Sequence, residues 1–182
     1  MNLSHADNHD RDKLVRWHQD LSSGPAARFP AYAVFLVSAE DRAAHDVFRT
    51  YRSSFEERGA AYQYLVIFGQ HGISGTLRGL LAQFGLTQEA LPLLALFSDP
   101  PAKIVHSLPL SGGSPSDGPS ESSSTSVVDT SSEPWRKVLK RLEDAADGRG
   151  QALDLMSLDE VTGRHENGPV LERVGRVLRE VS

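Results

Sequence analysis

The stretch of this chain best suited to chemistry is Gly69-Gln70-His71-Gly72-Ile73-Ser74-Gly75-Thr76. It separates an apolar run from a helical pattern, where unpaired amides at a helix start attract an anion and the hydroxyls of Ser74 and Thr76 can assist. A small molecule bearing a phosphate or carboxylate is the ligand such a turn would take. The segment has no P-loop lysine and does not fit GxGxxG, so a plain strand-to-helix turn is the competing reading. Ser74, His71 and Asp99 supply the residue types of a hydrolytic triad, but no GxSxG elbow accompanies them and no catalytic residue is assigned. His45, His71 and His106 are drawn from 7 histidines whose spacing matches no metal motif, so no metal ligand is assigned either. The acidic pairs Glu40-Asp41 and Asp159-Glu160 are accounted for as carboxylates facing the positive end of a helix dipole.

Cysteine is absent. That excludes disulfides, thiol nucleophiles, Cys-ligated zinc and iron-sulfur clusters together. The charged content of 24% and hydrophobic content of 39% are those of a globular chain, and 182 residues suit one domain with a buried core. With a net charge of -5 and no basic block, nothing resembles a nucleic-acid footprint. Arg136, Lys137, Lys140 and Arg141 stand at helical spacing beside Glu143 and Asp144, the pattern of a solvated helix face. There is no secretory apolar segment at the start and no run long enough to cross a bilayer, so a cytoplasmic protein without membrane partner or cofactor is expected.

The elements that would position these residues follow from apolar spacing. Residues 1 to about 12 read as a polar, disordered tail, and Leu14, Trp17, His18 and Leu21 then repeat at helical spacing up to Gly24-Pro25. Tyr32 to Val37 is continuously apolar and rich in β-branched and aromatic residues, as in a strand covered on both faces. Ser38, with Asp41 three residues on, predicts a helix start, and Ala44, Val47, Phe48, Tyr51 and Phe55 carry its stripe towards Gly59. A second strand is expected over Tyr62 to Phe68, a second helix from Ile73 to a stop at Gly85, and a third strand over Leu93 to Phe97. Asp99-Pro100-Pro101 then turns the chain into a fourth strand, Lys103 to Leu108, as an antiparallel hairpin. Residues 111–133 are Ser/Gly-rich and read as a flexible linker. Beyond it come a helix opened by Pro134 and striped by Trp135, Val138, Leu139 and Leu142, a capping pattern at Ser157 and Glu160, and a last helix after Gly168-Pro169.

The order strand, helix, strand, helix, strand, strand, helix over about residues 32–146 resembles the thioredoxin-like superfamily, with Pro92 directly before the third strand as the most specific residue. The resemblance implies a three-layer α/β sandwich with a mixed four-stranded sheet, and a cis proline at Pro92 shaping a ligand-facing loop. Where thioredoxins carry CxxC, this chain has Ser38-Ala39-Glu40-Asp41-Arg42-Ala43, so no thiol-disulfide exchange is available to it. The organisation expected is a core over 13–110, the linker 111–133, and a helical segment 134–182 that completes the core or packs on it.

Three functional readings remain open in the sequence. One is a non-enzymatic binding or scaffold module that holds a protein or peptide partner around Ser38, Arg42, His71 and Pro92. Another is an enzyme or sensor that takes an anionic ligand at the turn with Ser74 and Thr76. A third is a structural protein that forms a homo-oligomer through its C-terminal helix.

Overall fold

In the computed structural model, residues 4–23, 30–58, 64–110, 133–148 and 153–181 are described. Helix α1 spans His5–Ser22 and strand β1 spans Tyr32–Leu36. They are followed by α2 (Arg42–Glu57), β2 (Leu65–Phe68), α3 (Gly75–Phe84), β3 (Leu93–Phe97) and β4 (Ile104–Pro109). Helix α4 (Pro134–Ala146), β5 (Gly163–Glu166) and α5 (Val170–Glu180) complete the order. The linker expected over 111–133 falls outside the described residues except for Glu133, as do the stops at Gly24-Pro25 and Gly59.

The strands form one mixed sheet in the order β2-β1-β3-β4-β5. β1 and β2 run parallel, pairing Leu36 with Phe68, because α2 crosses between them. β3 returns antiparallel, pairing Leu36 with Leu93, and β4 and β5 continue antiparallel. The sheet has five strands, not the four expected. β5 reads Gly-Arg-His-Glu, with no apolar signal to reveal it, and this polar edge strand is held by backbone bonds to β4.

Alternation along each strand sends side chains to two separate cores. Tyr32, Val34, Leu36, Val66, Phe68, Ala95 and Phe97 meet α1, α3 and α5 on one face. Ala33, Phe35, Leu65, Ile67, Leu94 and Leu96 meet α2 and α4 on the other. The result is helices, sheet, helices in three layers, which explains why β1, β2 and β3 are apolar at every position. On the first face Trp17 lies 5.8 Å from the Phe68 ring, and Tyr32 stacks on Phe97 at 4.9 Å.

Two helix starts differ from expectation for physical reasons. Residues 5–12, expected as a disordered tail, form the first half of α1, because Ser4 caps it by accepting the Asp7 N–H at 3.1 Å. Helix α2 begins at Arg42 rather than at Ser38. The Asp41 carboxylate reaches back to accept the Ser38 N–H at 2.6 Å, so the intended capping residue is itself capped. Tyr64 precedes β2 outside the strand, and Tyr62 lies outside the described residues. The capping pattern at Ser157 and Glu160 does not start a helix; Asp154 instead accepts the Met156 N–H at 2.9 Å and holds a single 3-10 turn.

Candidate functional site

The register sets the ends of β1 and β2 and the start of β3 side by side, so the loops carrying Ser38, Gly69 and Pro92 gather at one end of the sheet. At that end, Gly69 has φ +87, and a Cβ there would stand 1.8 Å from the Val37 carbonyl oxygen. Only glycine admits this close approach. The Leu91-Pro92 bond is cis, and the Pro92 carbonyl accepts the Leu110 N–H at 2.9 Å.

Helix α1 covers the turn that the sequence offered to an anion. Asp10, only 1% exposed, accepts the Gly69 N–H at 2.9 Å and the Ser74 hydroxyl at 2.6 Å through Oδ2. Asp7 accepts the Gly75 N–H at 2.8 Å, and the Ser74 Oγ accepts the Leu77 N–H at 3.0 Å. The Ser4 hydroxyl first, and then the Gly75 amide, hold the Asp7 carboxyl below its ordinary range. The protein's own carboxylates therefore occupy the place of the expected ligand, and Ser74 and Thr76 are buried. Sequence reasoning missed Asp7 and Asp10 because it assigned them to a tail.

The remaining predicted residues have other neighbours than those proposed for them. Ser38 gives its carbonyl to the His45 Nε2 at 2.9 Å, and Arg42 is exposed at the first turn of α2. His71 is exposed and meets the rings of His9 and His5 at 4.4 and 5.1 Å, edge to face. It does not meet His45, which is buried on α2, or His106, which is buried in β4. Asp99 follows β3 at the opposite end of the sheet, since Phe97 pairs with Tyr32, and so stands apart from Ser74. Among the described residues no group of three or more His, Asp or Glu is arranged to hold a metal ion.

No family model matches this chain, and no curated protein or solved structure matches it.

A cleft of about 470 Å³ opens beside β2, the first strand of the sheet, between α1 and α2. Trp17, Phe48, Leu65 and Ile67 lie at its base, each 5% exposed or less, and its polar rim carries His9, Lys13, Arg16 and Arg52, with Asp20 the acidic member. Lys13 is half-buried and donates to the Ile67 carbonyl at 2.8 Å. Burial pushes its pKa down; Asp10 opposes this, while Arg52 and Arg16 push the same way. The Nε2 of His9 is buried with no hydrogen-bond partner. Burial, then Lys13 and His71, hold the His9 pKa below its ordinary value.

Individually these residues leave little trace in the sequence. Lys13, Arg16 and Arg52 are ordinary helix-surface cations by pattern, and only the packing of α1 and α2 on opposite faces of the sheet brings them to one rim. No helix among the described residues is long and apolar enough to cross a membrane.

Proposed function

We propose that this chain is a non-redox binding module of thioredoxin-like architecture, without catalytic chemistry of its own, and that it receives its ligand or partner in the cleft beside β2. The order β1, α2, β2, α3, β3, β4, α4 supports the architectural part. Its first two strands are parallel, and its last two form an antiparallel hairpin preceded by Pro92. Helix α1, β5 and α5 are additions to that pattern, and the absence of cysteine removes its usual chemistry.

The observation that carries the binding part is the cleft itself. Lys13, Arg16 and Arg52 border it along the outer edge of β2, and its volume lies in the range of ordinary ligand sites. The turn at 69–76 is the weaker candidate, because Asp10, Asp7 and Ser74 already accept the Gly69, Gly75 and Leu77 amides. Assembly through α5 is likewise weakened, since Val170, Val174 and Val177 are buried in the chain's own core.

Amide-shift mapping on the 15N-labelled chain, with panels of small molecules and short peptides, tests the reading. Shifts clustered on Leu65 to Ile67, Gln70 and the Trp17 indole are expected. Saturable shifts confined to residues 71–77 would transfer the site to the turn, and turnover of any panel member would remove the non-enzymatic assignment.

A further inference from the structure

The amine best placed for chemistry is that of Lys13. The chain's other lysines, Lys103, Lys137 and Lys140, are exposed, and Asp144 at 2.7 Å holds the Lys140 ammonium charged above its ordinary range. Lys13 is half-buried and lines the cleft of about 470 Å³ beside β2. Its Nζ donates to the Ile67 carbonyl at 2.8 Å, a neutral acceptor that an uncharged amine serves as well as an ammonium does.

The charged groups around Lys13 do not restore the hydration that burial removes. On α1, His9 stands one turn before it, against the His71 ring at 4.4 Å, with Asp10 three residues before it and Arg16 three residues after. Helix α2 contributes Arg52, paired with Glu56 at 2.7 Å, Asp20 stands on the rim, and β2 brings no charged side chain. Asp10 is the carboxylate that favours the ammonium, but its Oδ2 is turned to the Gly69 amide and the Ser74 hydroxyl. The Phe68 ring centroid lies 5.9 Å from Nζ, at the outer limit of a cation–π attraction. Burial, with Arg52 and Arg16 added to it, outweighs Asp10, so this ammonium gives up its proton more readily than an exposed lysine does.

An amine that is uncharged more of the time, and that borders a cavity, is the nucleophile that carbonyl compounds require. No cysteine competes for that role in this chain.

Taking the cleft as the binding site proposed above, we infer that Lys13 is a covalent capture site for small aldehydes, which it holds as an imine. The Lys13 nitrogen adds to the carbonyl carbon to form a C–N bond, and one amine proton passes to the oxygen. The carbinolamine then loses water, which carries away the carbonyl oxygen and both amine hydrogens and leaves a C=N bond. A proton taken up from solvent makes the imine cationic, with one N–H to donate to the Ile67 carbonyl. No oxidant or reductant enters, and the capture is stoichiometric, as suits a binding module.

The test treats the full chain with propanal and sodium cyanoborohydride, which reduces a protonated imine to a stable propyl-lysine. Peptide mass mapping follows each lysine, with the α-amino group as the reference amine that titrates near neutral pH. At about pH 7.5 Lys13 should be propylated several-fold faster than Lys103, Lys137 and Lys140. The difference should shrink as pH rises towards about 10, where exposed lysines also lose their protons. Lys13→Arg, which keeps a donor for the Ile67 carbonyl, should remove the fast adduct and leave the slow ones unchanged, with its fold verified by circular dichroism. Labelling of Lys13 no faster than that of the exposed lysines at about pH 7.5 would overturn the capture site. If the small-molecule panel still shifted the amides of Leu65 to Ile67 and Gln70, the cleft would stand as a non-covalent site. Loss of both signals would overturn both readings.

Discussion

Asp10 shows how much one buried side chain can decide. It bonds the Gly69 amide and the Ser74 hydroxyl across the interface between α1 and the turn, and its other oxygen is buried without a partner. Replacing it with alanine leaves a buried amide and a hydroxyl unsatisfied, so Asp10→Ala should lower stability by roughly 2–4 kcal/mol in urea unfolding. The same substitution combined with Asp7→Ala frees the turn amides, and phosphate should then raise the Tm of the double variant more than that of the parent chain. Gly69 is equally constrained: Gly69→Ala should cost about 3 kcal/mol or more, since a methyl group would meet the Val37 carbonyl and the backbone is left-handed.

Histidine protonation belongs to the same scale. His9 and His106 both have pKa values lowered from 6.5, chiefly by burial, with Lys13 and His71 adding to it at His9 and Arg164 at His106. A base whose folded pKa is depressed takes up protons more readily in the unfolded chain, so stability falls as pH drops below 6.5 and towards the folded values. Melting temperature measured between pH 8 and pH 5 should decline over the acid side of that window, and His9→Gln should make the decline shallower. An unchanged slope in the variant would assign the loss elsewhere.

At the scale of elements, two arginines hold helices in place by different means. Arg173 is fully buried; its Nε donates to the Gly168 carbonyl at 2.8 Å and one terminal nitrogen to the Lys103 carbonyl, tying the start of α5 to the start of β4, while the other terminal nitrogen is buried without a partner. Arg58 follows α2 and pairs with Glu143 at 3.1 Å and Asp147 at 2.6 Å near the end of α4, with about a third of its side chain in water. Solvent screens the second network and not the first. Arg173→Ala should therefore cost roughly 2–4 kcal/mol, through lost packing and orphaned carbonyls, whereas Arg58→Ala should cost about 1 kcal/mol or less. Equilibrium denaturation of the two variants side by side decides the point.

For the whole molecule, α5 is the closing piece of one of the two cores. It packs on α3 closely enough that a Cβ on Gly79 would stand 2.8 Å from a Val177 methyl, and Val170, Val174 and Val177 are each 0% exposed. Burial of three valines contributes on the order of 5–9 kcal/mol, a large share of a domain's total stability. Deletion of residues 168–182 should abolish the near-ultraviolet dichroism and the cooperative melt. A truncated chain that stayed folded, with only its mass in solution reduced, would instead make α5 an assembly element.

Apolar periodicity was sufficient to read β1, β3, α3, α4 and α5 from the sequence, because a segment buried on one or both faces must carry that burial in its own residues. Gly85 and Pro134 marked helix ends for the same local reason, one by a left-handed backbone and the other by a missing amide. Absence of thiol and disulfide chemistry was likewise a property of composition alone. The strand order, the polar strand β5, the carboxylates that fill the turn and the cations that border the cleft were decided only by the tertiary structure. Each of these depends on residues brought together across long chain separations, such as Asp10 with Ser74 or Lys13 with Arg52. A pattern within one segment records whether that segment is buried, but not which other segment buries it.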